Sequence, residues 1–232
     1  MFVAVASVVA TFMSSLALVQ PVLAQTAIPP PETSMSTYPP DIDPTSGFRL
    51  PLPRREDLDE AGKRTFDRGN TPGANIAGLR GPAGVQLYSP KTTEHLSAIN
   101  RYLRFEAGFT PRIREIAILA TAREMDSQFE WVAHEPEALK EGVPASLIDV
   151  IRFRRSTEGL DPTEARVIEL ARELWHDHKV KPETFAALKA VYGPHKLIDL
   201  VLLMGAYAST AGLLTAVDVQ LPPGKVPLLP IP

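Results

Sequence analysis

Acidic, hydroxyl and imidazole side chains occur at helical spacing in the middle of this sequence. Four residues of one predicted helix recur at intervals of three and four, which places them on one side of that helix: Ser127, Glu130, Trp131 and His134. Glu130 and His134 are close enough in sequence to hydrogen-bond directly. If the preceding helix forms a hairpin with this one, Glu115 approaches the same point from the neighbouring element.

Two carboxylates and one imidazole around a partly apolar pocket can move protons near neutral pH. A carboxylate beside histidine favours the imidazolium, whereas burial favours the neutral forms, and such opposing shifts create an acid and a base. Two other interpretations stay open. The Glu130–His134 pair can be an ordinary helix-surface pair with Trp131 in the core, or the three groups can ligate a divalent metal ion.

The composition limits the possible chemistry. The chain has 232 residues, 44% of them apolar, and a formal net charge of −3, which is ordinary for a globular protein and argues against nucleic-acid binding through a basic surface. It contains no cysteine, which excludes disulfides, thiolate nucleophiles and cysteine-ligated metal centres.

Between Lys91 and Val217 the apolar residues recur at three and four, and prolines stand where helices would begin. Thr110-Pro111 and Asp161-Pro162 each combine an N-cap residue with proline at the first helical position. Only Pro136 falls inside a predicted helix. The sequence therefore predicts an all-α body of six or seven helices.

The last predicted helix, Lys196 to Val217, is almost entirely apolar. Its length would span a bilayer, but a lone span at the end of an amphipathic helical domain is less economical than a buried core or subunit-interface helix. Tyr207 stands among small residues of this helix and can direct its hydroxyl toward the site.

The two ends of the chain differ from the body. Residues 1–24 have the apolar stretch and the small-x-Ala ending of a secretory signal, although no basic residue precedes the stretch, which leaves an uncleaved membrane anchor as the alternative. Residues 25–80 are expected to form a Pro-rich tether and a short helix, residues 81–220 the helical domain, and residues 221–232 a Pro-rich tail. We therefore expect an exported protein, periplasmic or secreted.

Three segments of the body resemble a known family. They are PRIREIAIL from Pro111 to Leu119, FEWVAHEP from Phe129 to Pro136, and the stretch from Ala138 to Val143 that ends in Gly-Val. In this order they resemble the carboxymuconolactone decarboxylase family, which also includes the alkyl hydroperoxidase D-type peroxidases. The resemblance runs from about Gly81 to Val217. It implies an alkyl hydroperoxidase D-like helical fold and homo-oligomers, commonly trimers or hexamers.

The resemblance also implies roles for particular residues. The peroxidase branch of the family uses a glutamate, a Cys-x-x-Cys pair and a histidine, which match Glu115, then Ser127 and Glu130, then His134. Both redox sulfurs are therefore replaced. Because neither serine nor glutamate can pass through a sulfenic acid, thiol peroxidase activity is disfavoured.

The decarboxylase branch, which works without cysteines, is the better match. It implies a lyase with Glu115, Glu130 and His134 as catalytic residues, and with no cofactor or resident metal. The substrate would be a small organic acid or lactone, contacted by Ser127, Trp131 and Tyr207. The alternatives are a non-catalytic oligomeric protein that binds a small ligand and, less well supported, a peroxidase.

Overall fold

Helices make up most of the described chain. The computed structural model describes residues 38–73 and 75–230, and within them the only pairing of extended segments is an isolated bridge between Asp43 and Phe48. The predicted all-α class is confirmed. The described α-helices are α1 (Glu60–Gly69), α2 (Pro82–Gln86), α3 (Pro90–Phe105), α4 (Pro111–Glu124), α5 (Gln128–Lys140), α6 (Ala145–Arg152), α7 (Pro162–Trp175) and α8 (Pro182–Ala216).

Helix α4 is the central helix, and it contacts α5, α6, α7 and α8. Thr110 begins it, because its side-chain oxygen accepts a hydrogen bond from the backbone N–H of Ile113 at 3.2 Å, and Pro111 occupies the first turn. The apolar side chains Ile116 and Ile118 are fully buried although they lie on different sides of α4. A helix that is apolar all round belongs in the interior, which explains why α4 can hold a glutamate out of water.

The helix starts predicted from proline are present in the structure. The Asp161 carboxylate accepts hydrogen bonds from two backbone N–H groups at the start of α7, and Pro182 begins α8. Pro136 lies inside α5, as expected. The predicted start at Pro194 follows a break inside α8, where Gly193 has φ 71° and ψ 170°.

Helix α8 is long and apolar enough to cross a membrane, judged by length and composition alone. One side of it packs into the core through Leu200, Leu203 and Met204, which are fully buried. The opposite side leaves Ile198 and Leu202 more than half exposed. A core helix and a membrane span have the same composition. In this structure the buried side of α8 packs against α4 and α7.

The expected tether needs a correction within the described residues. From Tyr38 onward the segment packs on the body: Phe48 is fully buried against Phe129 of α5 and Leu214 of α8. Backbone hydrogen bonds from Arg49 N to Val217 O, and from Gln220 N to Gly47 O, fix it there at 2.9 Å each. The few apolar residues of this segment are enough because they join a second apolar cluster with residues of α2, α5 and α8. The predicted signal and residues 25–37 lie outside the described residues.

The C-terminal tail leaves helical geometry as expected, and it is also anchored. Leu229 is buried in the main core. The side chain of Gln128, the first residue of α5, accepts from the N–H of Leu229 at 2.9 Å and donates to its carbonyl at 2.7 Å. The tail therefore holds the end of α5 that precedes the candidate site.

Candidate active site

Helices α4 and α5 bring Glu115 and His134 into direct contact. The His134 Nδ1 lies 2.8 Å from Oε2 of Glu115, and both side chains are buried. The other carboxylate oxygen of Glu115 accepts a hydrogen bond from Nε of Arg114 at 3.0 Å. Arg114 in turn donates to the carbonyl of Arg104 at 3.1 Å, which links α4 to α3. Glu115 is thus held by two partners and fixes one edge of the imidazole.

The protonation of this pair follows from the environment of Glu115. Burial raises its pKa, but the hydrogen bond and charge of His134, together with Arg114, outweigh burial and leave the pKa below its ordinary value. An ionised carboxylate only accepts hydrogen bonds, so Nδ1 of His134 carries a proton. In neutral histidine this leaves the lone pair on Nε2, the nitrogen on the other edge of the ring.

Glu130 faces that second nitrogen. Its Oε2 lies 3.7 Å from Nε2 of His134, beyond direct hydrogen-bonding distance. Burial raises the pKa of Glu130, and the nearby charges of His134 and Arg104 only partly offset this effect. The structure therefore places a glutamate with a lowered pKa at one edge of the imidazole and a glutamate with a raised pKa at the other, which is the opposing pair that acid–base chemistry needs.

The same geometry disfavours the interpretation in which these three side chains bind one metal ion. Because the two glutamates face opposite edges of the ring, Glu115, Glu130 and His134 do not converge on one point. No group of three or more His, Asp or Glu side chains with ligand geometry occurs in residues 38–73 and 75–230. In the described part of the chain, these three side chains are therefore placed around the imidazole and not around a common ion position.

Tyr207 of α8 completes the immediate surroundings of His134. The two rings meet edge to face, with centroids 5.0 Å apart and planes at 85°. Tyr207 is 6% exposed, and its hydroxyl makes no hydrogen bond to any described residue. Burial raises the pKa of this phenol, so the hydroxyl keeps its proton and is available as a donor.

A cleft of about 600 Å³ opens onto these groups. Glu130, His134 and Tyr207 line it, together with Asn100 and Arg104 of α3. One side, which we call the N-terminal wall, is formed by residues that precede α3: Gly73, Asn75, Ile76, Pro82, Ala83 and Gln86. Glu115 lies behind His134 and does not line the cleft.

Two of the residues that the sequence assigned to ligand binding lie elsewhere. Trp131 is fully buried in the core, where its Nε1 donates to Glu135 at 2.7 Å and the guanidinium of Arg152 lies over its ring. Ser127 is the N-cap of α5, and its hydroxyl accepts from the N–H of Glu130 at 3.5 Å. Neither residue lines the cleft. Both are corrected to structural residues, because Trp131 fills the core and Ser127 caps the start of α5.

The sequence analysis missed Asn100 and Arg104. They are four residues apart on α3, so one side of that helix presents two polar groups to the cleft. The spacing of Asn100 and Arg104 is visible in the sequence, but it does not show that this side of α3 borders a cleft. Of the other histidines, His95 and His195 are exposed, and neither lines the cleft.

We expect Glu130→Gln to raise thermal stability near neutral pH. The raised pKa of Glu130 means that folding favours its protonated form, so stability is lost as pH rises from the unfolded-state pKa toward the folded-state value. A neutral glutamine avoids this loss. The variant should melt at a higher temperature than wild type at about pH 7, and the difference should shrink as pH falls toward the ordinary glutamate value of 4.5.

Thermal melts of both proteins across this pH range measure the effect. Glu137→Gln, which removes an exposed carboxylate of the same helix, is the matched control and should not stabilise the protein. A lower melting temperature for Glu130→Gln at neutral pH would show that the ionised carboxylate supports the fold.

Comparison with known proteins gives a structural match. No family model and no curated protein sequence matches this chain. A solved structure is similar, described as the alkylhydroperoxidase AhpD core of an uncharacterized peroxidase-related protein from Ralstonia eutropha JMP134. Its TM-score is 0.63 at 15% sequence identity, and the match covers 78% of this chain and 98% of that one. The chain therefore has the AhpD-like helical fold that the sequence predicted.

Proposed function

We propose that this chain, with its AhpD-like fold, is a carboxymuconolactone decarboxylase-like lyase that acts on a small organic acid or lactone by acid–base chemistry. The observation that carries the proposal is the position of His134 between two glutamates of opposite pKa shift, at the surface of a cleft. A fold alone does not define an activity, so the proposal depends on this site.

Glu130, His134 and Glu115 can supply the proton transfers that a decarboxylation needs. The bond between the departing carboxylate and its carbon breaks, and the electron pair stays on that carbon, where it is delocalised into an adjacent unsaturated carbonyl group of the substrate. CO₂ leaves, and Glu130 donates its proton to the carbon. Glu130 is then reprotonated from water: Nε2 of His134 takes up a proton and passes it to Glu130 through a bridging water, since the two side chains are 3.7 Å apart, while Glu115 stabilises the imidazolium that forms in between. One proton is consumed for each CO₂ released.

A thiol peroxidase is not proposed, although the structural relative is described as peroxidase-related. That chemistry oxidises a cysteine and resolves it with another, and this sequence has no cysteine. The residues that match the two cysteine positions are Ser127, which caps α5, and Glu130, whose pKa is raised by burial.

The direct test is an assay of the purified protein with a panel of unsaturated lactone acids, measured as CO₂ release and as proton uptake. A decarboxylase in D₂O should also place one deuterium on the product carbon that lost CO₂. Heat-treated protein and buffer alone correct for spontaneous loss of CO₂. Thermal stabilisation by a lactone acid without product would instead support the alternative of a non-catalytic binding protein.

We also propose that the protein forms homo-oligomers, trimers or hexamers, through α8 and α3. Ile198 and Leu202 of α8 are more than half exposed, and Phe105 and Ile99 of α3 expose 64% and 48% of their surface. Charged residues are sparse along this part of α8. A second copy of the chain is the occupant best suited to such an apolar surface, because self-association buries it on both partners.

Leu202→Glu is expected to convert the oligomer to monomers at micromolar concentration, because a carboxylate would be buried at the interface. Light scattering coupled to size-exclusion chromatography measures the mass. Leu139→Glu is the matched control, since this leucine is similarly exposed but lies on α5. An unchanged mass for Leu202→Glu would place the interface elsewhere.

We also propose that the protein is exported to the periplasm or secreted. Cleavage after Ala24 predicts that the intact mass of protein recovered from the periplasm or medium begins at Gln25. Recovery of the full-length mass from the membrane fraction would instead indicate a tether through the uncleaved N-terminal segment.

A further inference from the structure

Two polar atoms of α3 are buried at the cleft without a partner. Nε of Arg104 and the side-chain oxygen of Asn100 make no hydrogen bond to any described residue, and both residues line the cleft. They are one helical turn apart, so they lie side by side. A buried donor or acceptor without a partner costs free energy, and such groups are commonly retained where a ligand satisfies them.

The two residues also lie where the cleft meets a second groove. Asn100 and Arg104 line both the main cleft and a neighbouring groove of about 660 Å³ between α1 and α3. That groove is bordered by two further arginines, Arg68 and Arg101, and by one carboxylate, Glu94. Glu94 is already paired with Arg64 of α1. The approach to Arg104 is therefore positively charged, which favours an anionic ligand.

The hydroxyl of Tyr207 is the second, independent observation. This side chain is only 6% exposed and lines the cleft, yet its hydroxyl has no partner among the described residues. It comes from α8, whereas Arg104 and Asn100 come from α3. A protonated phenol is a donor, so it adds to the Nε donor of Arg104, whereas the unpartnered oxygen of Asn100 is an acceptor.

We propose that Arg104 and Tyr207 form a carboxylate-binding subsite that orients the ligand against Glu130 and His134, with the Oδ1 of Asn100 beside them as an acceptor for an N–H or O–H group of the ligand. This inference rests on the proposed function and adds specificity-determining residues to it. A guanidinium recognises a carboxylate through two parallel charge-assisted hydrogen bonds, and the phenol supplies a donor for a remaining lone pair. The carboxylate bound here differs from the one lost as CO₂, since an ion pair to the departing group would oppose its loss.

Glu130 is compatible with an anion at this position. Burial raises the pKa of its carboxyl group, which disfavours a negative charge beside the ligand. Glu137, the other acidic residue of the cleft, is exposed and within reach of Lys140 at 3.3 Å. Among the described residues that line the cleft, Arg104 is the cation, and its Nε makes no hydrogen bond.

The test uses a matched pair of probes, benzoate and its neutral isostere benzamide, with the full chain and ligand-observed NMR titration. Wild type should bind benzoate at least tenfold more tightly than benzamide. Arg104→Gln should lose at least tenfold in benzoate affinity and leave benzamide affinity unchanged, while Arg104→Lys should retain part of the preference. Arg155→Gln, which removes an exposed arginine outside both the cleft and the groove, is the control and should resemble wild type.

Tyr207→Phe provides a second variant that removes only one oxygen, and it should weaken benzoate binding by several-fold. Equal binding of benzoate by wild type and Arg104→Gln would overturn the subsite, as would equal binding of benzoate and benzamide, or no benzoate binding, by wild type. Because the readout is binding, it separates the two proposals. Selective benzoate binding without turnover of any lactone acid would sustain the subsite and remove the decarboxylase.

Discussion

His134→Gln is expected to reduce turnover of a lactone acid by about 10²- to 10⁴-fold, the range usual for a group that transfers protons in the rate-limiting step. Glutamine can still accept a hydrogen bond or donate one to Glu115, but it cannot bind and release a proton near neutral pH. The loss should appear mainly in kcat, because His134 acts on the proton and not on the bulk of the ligand. Steady-state kinetics of CO₂ release measure it.

His95→Gln is the matched control, since His95 is an exposed histidine of α3 outside the cleft. It should retain wild-type kinetics. If His134→Gln and His95→Gln turn over equally, the imidazole has no part in the reaction and the site described here is structural.

Glu115→Gln should lower turnover by about 10²-fold or more although Glu115 does not reach the cleft. The amide keeps an oxygen for Arg114, which donates to Glu115 at 3.0 Å in the wild-type protein. Its NH₂ group then points at Nδ1 of His134 and donates to it. The imidazole proton moves to Nε2, and the nitrogen that faces Glu130 loses its lone pair.

The tautomer itself is measurable by ¹⁵N chemical shifts of the histidine ring. We expect protonated Nδ1 in wild type and protonated Nε2 in Glu115→Gln. Glu164→Gln, which removes a carboxylate that pairs with Arg112 outside the cleft, should change neither the tautomer nor turnover. A Glu115→Gln protein with wild-type kinetics would show that the orientation of His134 does not depend on this carboxylate.

Most of the helical fold could be predicted because its signals are local. Thr110 and Asp161 cap helices through side-chain oxygens, and the prolines that follow them fix the first turn. These interactions span a few residues, so spacing alone reveals them. The break at Gly193 is also local, since glycine is the residue that adopts its positive φ without strain.

The site was only partly predictable. The i,i+4 spacing of Glu130 and His134 is a property of one helix, and it placed them correctly on one side. Which side of α5 faces the cleft depends on how α4, α5 and α8 pack, and the sequence does not specify this. For that reason Trp131 was assigned to ligand binding, whereas it fills the core.

Long-range contacts explain the other differences. Phe48 packs against residues that are far from it in sequence, so a Pro-rich segment with few apolar residues was predicted to be free of the body. Arg104 was missed for the same reason. Its importance comes from α8 and from the groove beside α1, and neither is near it in the chain.

The N-terminal wall has a consequence for how such a protein can diversify. The wall borders the cleft and contributes none of the groups Glu115, Glu130 and His134. It lies wholly outside α4, α5 and α8. Substitutions in the wall can change which molecules enter the cleft without changing Glu115, Glu130 or His134. A library randomised at these wall positions alone should therefore yield variants with new preferences and an unchanged chemical step, which makes the protein a practical starting scaffold for engineered selectivity.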